Sequence, residues 1–326
     1  MPSIKSITQI DGIFAGHATN EAAATGCTVI VCPQGATGAV DVRGGAPATR
    51  ETDLLRPEET VDVLHAVVLS GGSAYGLAAS TGVAEELERR DIGLDVMVCK
   101  VPIVSGACLF DLACGDAHVR PDAAMGAQAV SEAFAHAGEP LARGNVGAGA
   151  GCTVGKVAGP ARSMKAGLGE CVVQAGELVC GAVAAVNAVG NVVDPKTGDF
   201  VAGVLSTDGS RIISVEEAFA EAGAAMPLRT NTTISCVVTN AKLTKAQATK
   251  VAQMSADAYA HAIRPTHTTN DGDSIFVMAT GEVEAAVDTV GMLAVSALEQ
   301  AIVDAARSAE GAYGLKAAGD LACRPA

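Results

Sequence analysis

The chain has 326 residues, 49% of them hydrophobic but only 3% aromatic, with 37 glycines and no tryptophan. A core of close-packed Ala, Val, Gly and Leu excludes a disordered chain, and the scarcity of rings argues against a stacking platform for single-stranded nucleic acid. Twenty-two basic against 36 acidic residues give a net charge of −14 with no Lys/Arg run, so neither nucleic acid nor an anionic membrane is an expected partner.

Residues 1–11 hold no basic segment followed by an apolar core, and apolar runs such as 66–70 are far shorter than the roughly 20 residues of a membrane helix. A cytoplasmic protein is expected. No Pro/Ser-rich linker or charge block divides the chain. Apolar, β-branched runs predict strands at 27–32, 66–70, 95–98, 181–186, 234–239 and 274–280, with helix-length segments between several of them, a mixed α/β pattern. The run 194–199 carries Pro195 and Gly198 at turn-favouring positions. Thr244 with Gln247 forms a capping box, and Val251, Met254, Ala258 and Ala262 then recur at helical spacing until Arg264-Pro265. A second apolar stripe, Val287, Val290, Ala294, Leu298 and Ile302, follows Glu282 and Glu284, read as first-turn acids.

Ten cysteines occur without a C-x-x-C pair. Most, Cys99 among them, sit in apolar stretches and are expected to be reduced, structural thiols. Six histidines show no H-E-x-x-H spacing, so no metal is expected. Gly71-Gly72-Ser73-Ala74-Tyr75-Gly76 follows a strand and precedes a helix, but a nucleophile elbow would need Gly at Tyr75. It reads as a tight turn that lines a pocket, with Gly71, Gly72, Ser73 and Tyr75 as candidate wall residues. The run 147–156 lacks the Gly at Ala150 and the Ser or Thr at Val157 of a phosphate loop, and Cys152 breaks a dinucleotide fingerprint. No cofactor is expected.

Chemistry concentrates at Asn231-Thr232-Thr233-Ile234-Ser235, where two threonines open an apolar strand. On local pattern alone, β-branched Thr simply starts a strand. Asp271-Gly272-Asp273, however, stands in the same relation to the next strand. Two strands joined by one helix are expected to run parallel, which brings Thr232 beside both carboxylates.

These residues, with Asp41-Val42-Arg43-Gly44-Gly45, the runs 69–77 and 147–156, and His267 to Asp273, resemble the DmpA-like peptidases. That family includes L-aminopeptidase/D-amidases, β-aminopeptidases and nylon-oligomer hydrolases, and the likeness covers nearly the whole chain, with the nylon-hydrolase branch matched at 231–235 and 271–273. The resemblance implies one α/β domain, residues 1–326, with α/β/β/α layering, and a precursor that cuts itself at Asn231-Thr232 into fragments 1–231 and 232–326. The chemistry is reasonable on its own terms. A buried threonine hydroxyl attacks the preceding carbonyl, and hydrolysis of the ester exposes an α-amine of reference pKa about 7.7–8.0 that serves as base without histidine.

By the same resemblance, Lys156 is the cation beside the nucleophile, Asn187 the oxyanion donor, and Asp271 and Asp273 orient the threonine. Phe110 stands where some relatives carry Tyr near the active site, which implies a more apolar pocket wall. The implied activity is hydrolysis of small peptides, amino acid amides or aminohexanoate-type oligomers by a homo-oligomer, commonly a tetramer. Two alternatives stay open: an acyltransferase of the ornithine acetyltransferase type, and an unprocessed, non-catalytic binding protein.

Overall fold

A computed structural model of the chain describes residues 4–222 and 231–321; one of the ten cysteines, Cys323, lies outside them. The principal elements run β1 (Phe14–Asn20), β2 (Thr25–Val42), β3 (Leu64–Ser70), α1 (Ala79–Arg89), β4 (Val104–Cys108), α2 (Ala123–Ala135), β5 (Leu168–Ala175), β6 (Leu178–Asn187), α3 (Val215–Ala222), β7 (Thr232–Ala241), α4 (Lys245–Ala262), β8 (Ser274–Val283) and α5 (Val287–Arg307).

Strand β2, 18 residues long, is the spine. Its first half pairs with β1 and β3 and its second half with β8, with a register shift between Val31 and Ala36. The strands follow the order β5-β6-β7-β8-β2-β3-β4, with the short strand Thr49–Arg50 on the outer edge of β4. The pairs β7–β8 and β3–β4 are parallel; β5–β6, β6–β7, β8–β2 and β2–β3 are antiparallel.

Period-two side-chain alternation separates the layers. Cys27, Val29, Val31, Ala66 and Val68 pack with Val83, Leu87, Ala129 and Val130 of α1 and α2. Their neighbours Ile30, Cys32, Leu64, Val67 and Leu69 face a second core shared with β6, β7, β8, α4 and α5. The result is α1/α2, two sheet halves, then α4/α5, the layering that the resemblance implies. Small residues make this stacking close. At Gly169 of β5 a Cβ would sit 2.2 Å from both Ala301 O and Ala305 N of α5, so helix and strand meet at backbone distance.

Several expectations match in place. Thr244 and Gln247 form the capping box of α4, which ends at Ala262 ahead of Arg264-Pro265, and residues 194–199 make a turn closed by Gly198 N–H to Asp194 O at 2.8 Å. Other expectations are corrected. Residues 95–98 are the tip of a hairpin between Leu94–Asp95 and Lys100–Val101, not a core strand. Asp95 Oδ1 accepts the Met97 N–H at 2.8 Å and Met97 takes φ +74, a side-chain-closed turn that local polarity imposes on an apolar stretch. Met97 is 97% exposed and Cys99 is exposed too, so this thiol is no core residue.

Glu282 lies inside β8, which keeps pairing as far as Val283. Glu284 also precedes α5, whose first-turn acid is Asp288. With 21 residues, α5 is long and apolar enough to cross a membrane, unlike the uninterrupted runs considered above. Its face Val290, Ala294, Ala297, Leu298, Ala301 and Ile302 is nevertheless buried in the core.

Candidate active site

The site forms where three strand ends meet. Thr232 opens β7, and the parallel register that sets Ile234 beside Ser274 extends back to a bridge between Asn231 and Asp271. On the other side, Asn187 ends β6 directly opposite Thr232. Parallel pairing thus brings the threonine and the two carboxylates together, as the sequence spacing predicts. Asn187, Asn231, Thr232, Asp271 and Asp273 are all buried.

Thr232 Oγ1 donates to the carbonyl oxygen of its own predecessor, Asn231. The same oxygen accepts the Gly272 N–H at 3.1 Å. Position 272 admits no side chain, because a Cβ would lie 2.8 Å from Thr232 Oγ1 and 3.0 Å from Ala46 O. Asp273 Oδ1 accepts the Thr233 N–H at 2.7 Å, while its Oδ2 accepts from Thr266 Oγ1 at 3.0 Å and from the backbone and ring of His267 at 3.1 and 2.9 Å.

Asp271 Oδ2 accepts the Thr268 N–H at 2.6 Å, and its Oδ1 is buried with no hydrogen-bond partner among the described residues. Burial, and then the charge of Asp273, raise the Asp271 carboxyl above the ordinary range, because a second charge in a dry site is costly. The segment Arg43-Gly44-Gly45-Ala46 braces this acidic loop through its backbone. Arg43 and Gly44 donate to Asp273 O, Gly45 to Thr268 O and Ala46 to Asp271 O.

On the opposite flank, Lys156 Nζ donates to Asn187 Oδ1 at 2.7 Å and to Asn187 O at 2.9 Å. Burial lowers Lys156 to about 7, opposed in part by Cys152 and Asp271, so an uncharged amine is accessible near neutrality. Asn187 Oδ1 also accepts the Thr153 N–H at 3.0 Å, and Nδ2 donates to Phe110 O at 2.7 Å. Beneath the loop, fully buried Lys165 donates from Nζ to Gly149 O and Cys152 O, both at 3.1 Å, and to Ala166 O at 2.5 Å. Its ammonium ties down the glycine-rich run that carries Lys156.

A cavity of about 390 Å³ adjoins Lys156, walled among others by Phe110, Asp111, Cys114, Thr153, Tyr313 and Leu315. Of the five residues expected to wall a pocket, Phe110 does so; Gly71, Gly72, Ser73 and Tyr75 are not in its lining. The glycine turn acts from behind: Gly72 N–H and Thr25 Oγ1 each donate to the Asp111 carboxylate at 2.7 Å. Tyr75 is exposed, its ring beneath the Arg120 guanidinium at 3.9 Å. Sequence reading did not single out Gly272 and His267, although both sit inside the acidic segment. Lys165, Asp111 and Tyr313 are singled out by nothing in their local pattern, since only the fold brings them to the loop or the cavity.

The chain is similar to several known proteins along most of its length. The family model of peptidase family S58 matches residues 5–318. An uncharacterised aminopeptidase of Mycobacterium leprae is 40% identical over 96% of this chain and 92% of its own length. The 6-aminohexanoate-oligomer endohydrolase of Paenarthrobacter ureafaciens is 34% identical over 84% of this chain and 74% of its own. Among solved structures, the L-aminopeptidase D-Ala-esterase/amidase of Ochrobactrum anthropi superposes with a TM-score of 0.68 at 18% identity, covering 95% of this chain and 88% of that one. A β-aminopeptidase of Burkholderia sp. gives 0.64 at 20% identity over 93% and 86%. These two structures share its α/β fold, described for the former as a variant of the Ntn-hydrolase fold. With a family match spanning residues 5–318 and relatives of 34–40% identity along most of its length, the chain belongs to peptidase family S58, a family of amide-bond hydrolases.

Proposed function

We propose that the protein is a self-processing N-terminal-threonine amidohydrolase, cut at Asn231-Thr232. The observation that carries this reading is the Thr232 hydroxyl seated on the Asn231 carbonyl, whose oxygen already accepts a backbone N–H from Gly272. In the first step Oγ1 attacks the Asn231 carbonyl carbon, its proton passing to a base. The tetrahedral oxygen is held by Gly272 N–H, the C–N bond breaks, and the Thr232 amine leaves with a proton. Water then hydrolyses the ester, freeing the Asn231 carboxylate and regenerating the hydroxyl. The precursor has no free Thr232 amine, so another base serves this step; Lys156, lowered to about 7 by burial, supplies a neutral amine near physiological pH.

In the mature protein the Thr232 α-amine takes over as base, and Asn187, paired directly opposite Thr232 in the sheet, holds the substrate oxyanion. Asp271 and Asp273 orient the threonine. The cavity beside Lys156 receives the acyl side of a small peptide, amino acid amide or aminohexanoate-type oligomer, with Phe110, Cys114 and Leu315 against its apolar part. Water is the acceptor in this reading, which separates it from an acyltransferase. A homotetramer is the assembly proposed, and the exposed Val96, Met97 and Val98 of the hairpin tip support an apolar contact. The proposed setting is cytoplasmic, which the free thiols of the nine described cysteines suit.

Intact mass spectrometry tests the core of the reading. Wild type should give two fragments, the smaller beginning at Thr232, and should release amine from amide substrates. Thr232→Ala should remain one chain and lose hydrolysis by about 10⁴-fold or more. A single wild-type chain, or cleavage that survives the substitution, would overturn it.

A further inference from the structure

We infer that His267 is a positioning residue for the nucleophile, acting through Asp273; the inference rests on the reaction proposed above. The Asp273 carboxylate is a bridge. One oxygen holds the Thr233 N–H, the residue directly after the nucleophile, at 2.7 Å, and the other lies 2.9 Å from His267 Nδ1. The ring itself is fixed from the far side, stacked on Tyr259 of α4 with centroids 5.3 Å apart and planes at 18°. Tyr259 is fully buried, its hydroxyl within 2.9 Å of Ser235 Oγ and 3.2 Å of Thr233 O. Two routes, one through Asp273 and one through Tyr259, therefore converge from the imidazole on the first residues of β7.

The tautomer follows from burial. His267 Nε2 is buried with no hydrogen-bond partner among the described residues. A proton there would be a buried N–H left unpaired, which costs about 1–3 kcal/mol, whereas a proton on Nδ1 faces a carboxylate. Nε2 has no partner among the described residues in either tautomer, whereas the neutral ring with its proton on Nδ1 makes the hydrogen bond to Asp273. This N–H keeps Asp273 Oδ2 turned toward the loop and leaves Oδ1 to hold the nucleophile strand. The backbone adds a constraint: His267 has φ +56, a conformation that Gly and Asn adopt most readily.

That constraint supplies a clean test. His267→Gly and His267→Asn both suit the backbone, and both keep the backbone N–H to Asp273, but only Asn restores a side-chain donor. His267→Gly should slow self-cleavage and lower kcat for amide hydrolysis by about tenfold or more with KM within about twofold, while His267→Asn stays within about threefold of wild type. Equal rates in the two variants, whether both high or both low, would overturn the inference. ¹⁵N-histidine NMR of the wild type reads the geometry without any variant; a proton on Nδ1 is expected, and one on Nε2 alone overturns it. A wild type that neither cleaves nor hydrolyses would instead overturn the proposed function, so the two failures are distinguishable.

Discussion

The two parallel strand pairs of the sheet are built alike and used at opposite ends. Pair β3–β4 encloses α1 and pair β7–β8 encloses α4. At the C-terminal end of β3 the chain makes a glycine turn, and the nearby carboxylate, Asp111, takes a backbone N–H and a threonine hydroxyl. At the N-terminal ends of β7 and β8 the carboxylates instead surround a threonine, and one oxygen of Asp271 has no hydrogen-bond partner among the described residues. The first end has its polar groups satisfied and shapes a wall; the second keeps an under-satisfied carboxylate beside a hydroxyl and a carbonyl. Substitutions at the second should therefore change rates, and those at the first should change stability.

The largest effect is expected on the reactive side. Lys156→Gln should slow self-cleavage of freshly refolded precursor by about 100-fold or more, the usual scale for losing a charged or proton-transferring group. The pH dependence carries the sign. Lys156 sheds its proton as pH rises through about 7, so the rate should climb roughly tenfold per pH unit below that value and level off above it. Because the precursor has no free Thr232 amine, the limb belongs to groups already in the site. Time-resolved denaturing gels read it, and a rate that is flat through neutrality would remove Lys156 from the base role.

At the wall end, Asp111→Ala should leave self-cleavage complete yet destabilise the fold. Gly72 N–H and Thr25 lose their common acceptor, at a cost of about 1–3 kcal/mol, or a fall in Tm of roughly 1.5–4.5 °C for a chain of this size. Asp111→Asn should behave differently. Its carbonyl can keep the Gly72 N–H, and the Thr25 hydroxyl can turn to accept from the new amide. Calorimetry of the two variants separates them. Loss of processing in either would mean that the two strand-pair ends are not divided between rate and stability.

The same division explains what the sequence made legible. Thr232, Asp271 and Asp273 could be read because each lies at the N-terminal end of an apolar strand, and parallel pairing sets those two ends side by side. The motif at 41–45 was recognisable as family likeness but acquired a physical role only when its backbone N–H groups were found on the carbonyls of Thr268 and Asp273. The pocket was legible only at Phe110, for the opposite reason. Gly71 and Tyr75 share a conspicuous turn, yet the rest of the wall is assembled from residues such as Cys114, Pro160 and Tyr313, distant positions with no common local pattern. Residues 95–98 failed likewise: β-branched apolar composition favours a strand, but one aspartate side chain closing on Met97 N–H turned the segment outward.

The smallest expected effect lies where the two ends touch. Phe110 lines the cavity while its carbonyl accepts Asn187 Nδ2 at 2.7 Å, so its backbone serves the reactive side and its ring the wall. Phe110→Tyr leaves that carbonyl in place and adds one hydroxyl to a mainly apolar lining. Self-cleavage should be unchanged, because the groups on the Asn231 carbonyl are untouched. For substrates with an unbranched apolar chain, KM should rise about threefold, the scale of placing a polar group against a methylene, while substrates with an acceptor near that position should gain by a similar factor. Steady-state kinetics with paired substrates checks this. An equal change in kcat for both would show that the ring acts on the oxyanion donor, and that wall and chemistry are coupled through residue 110.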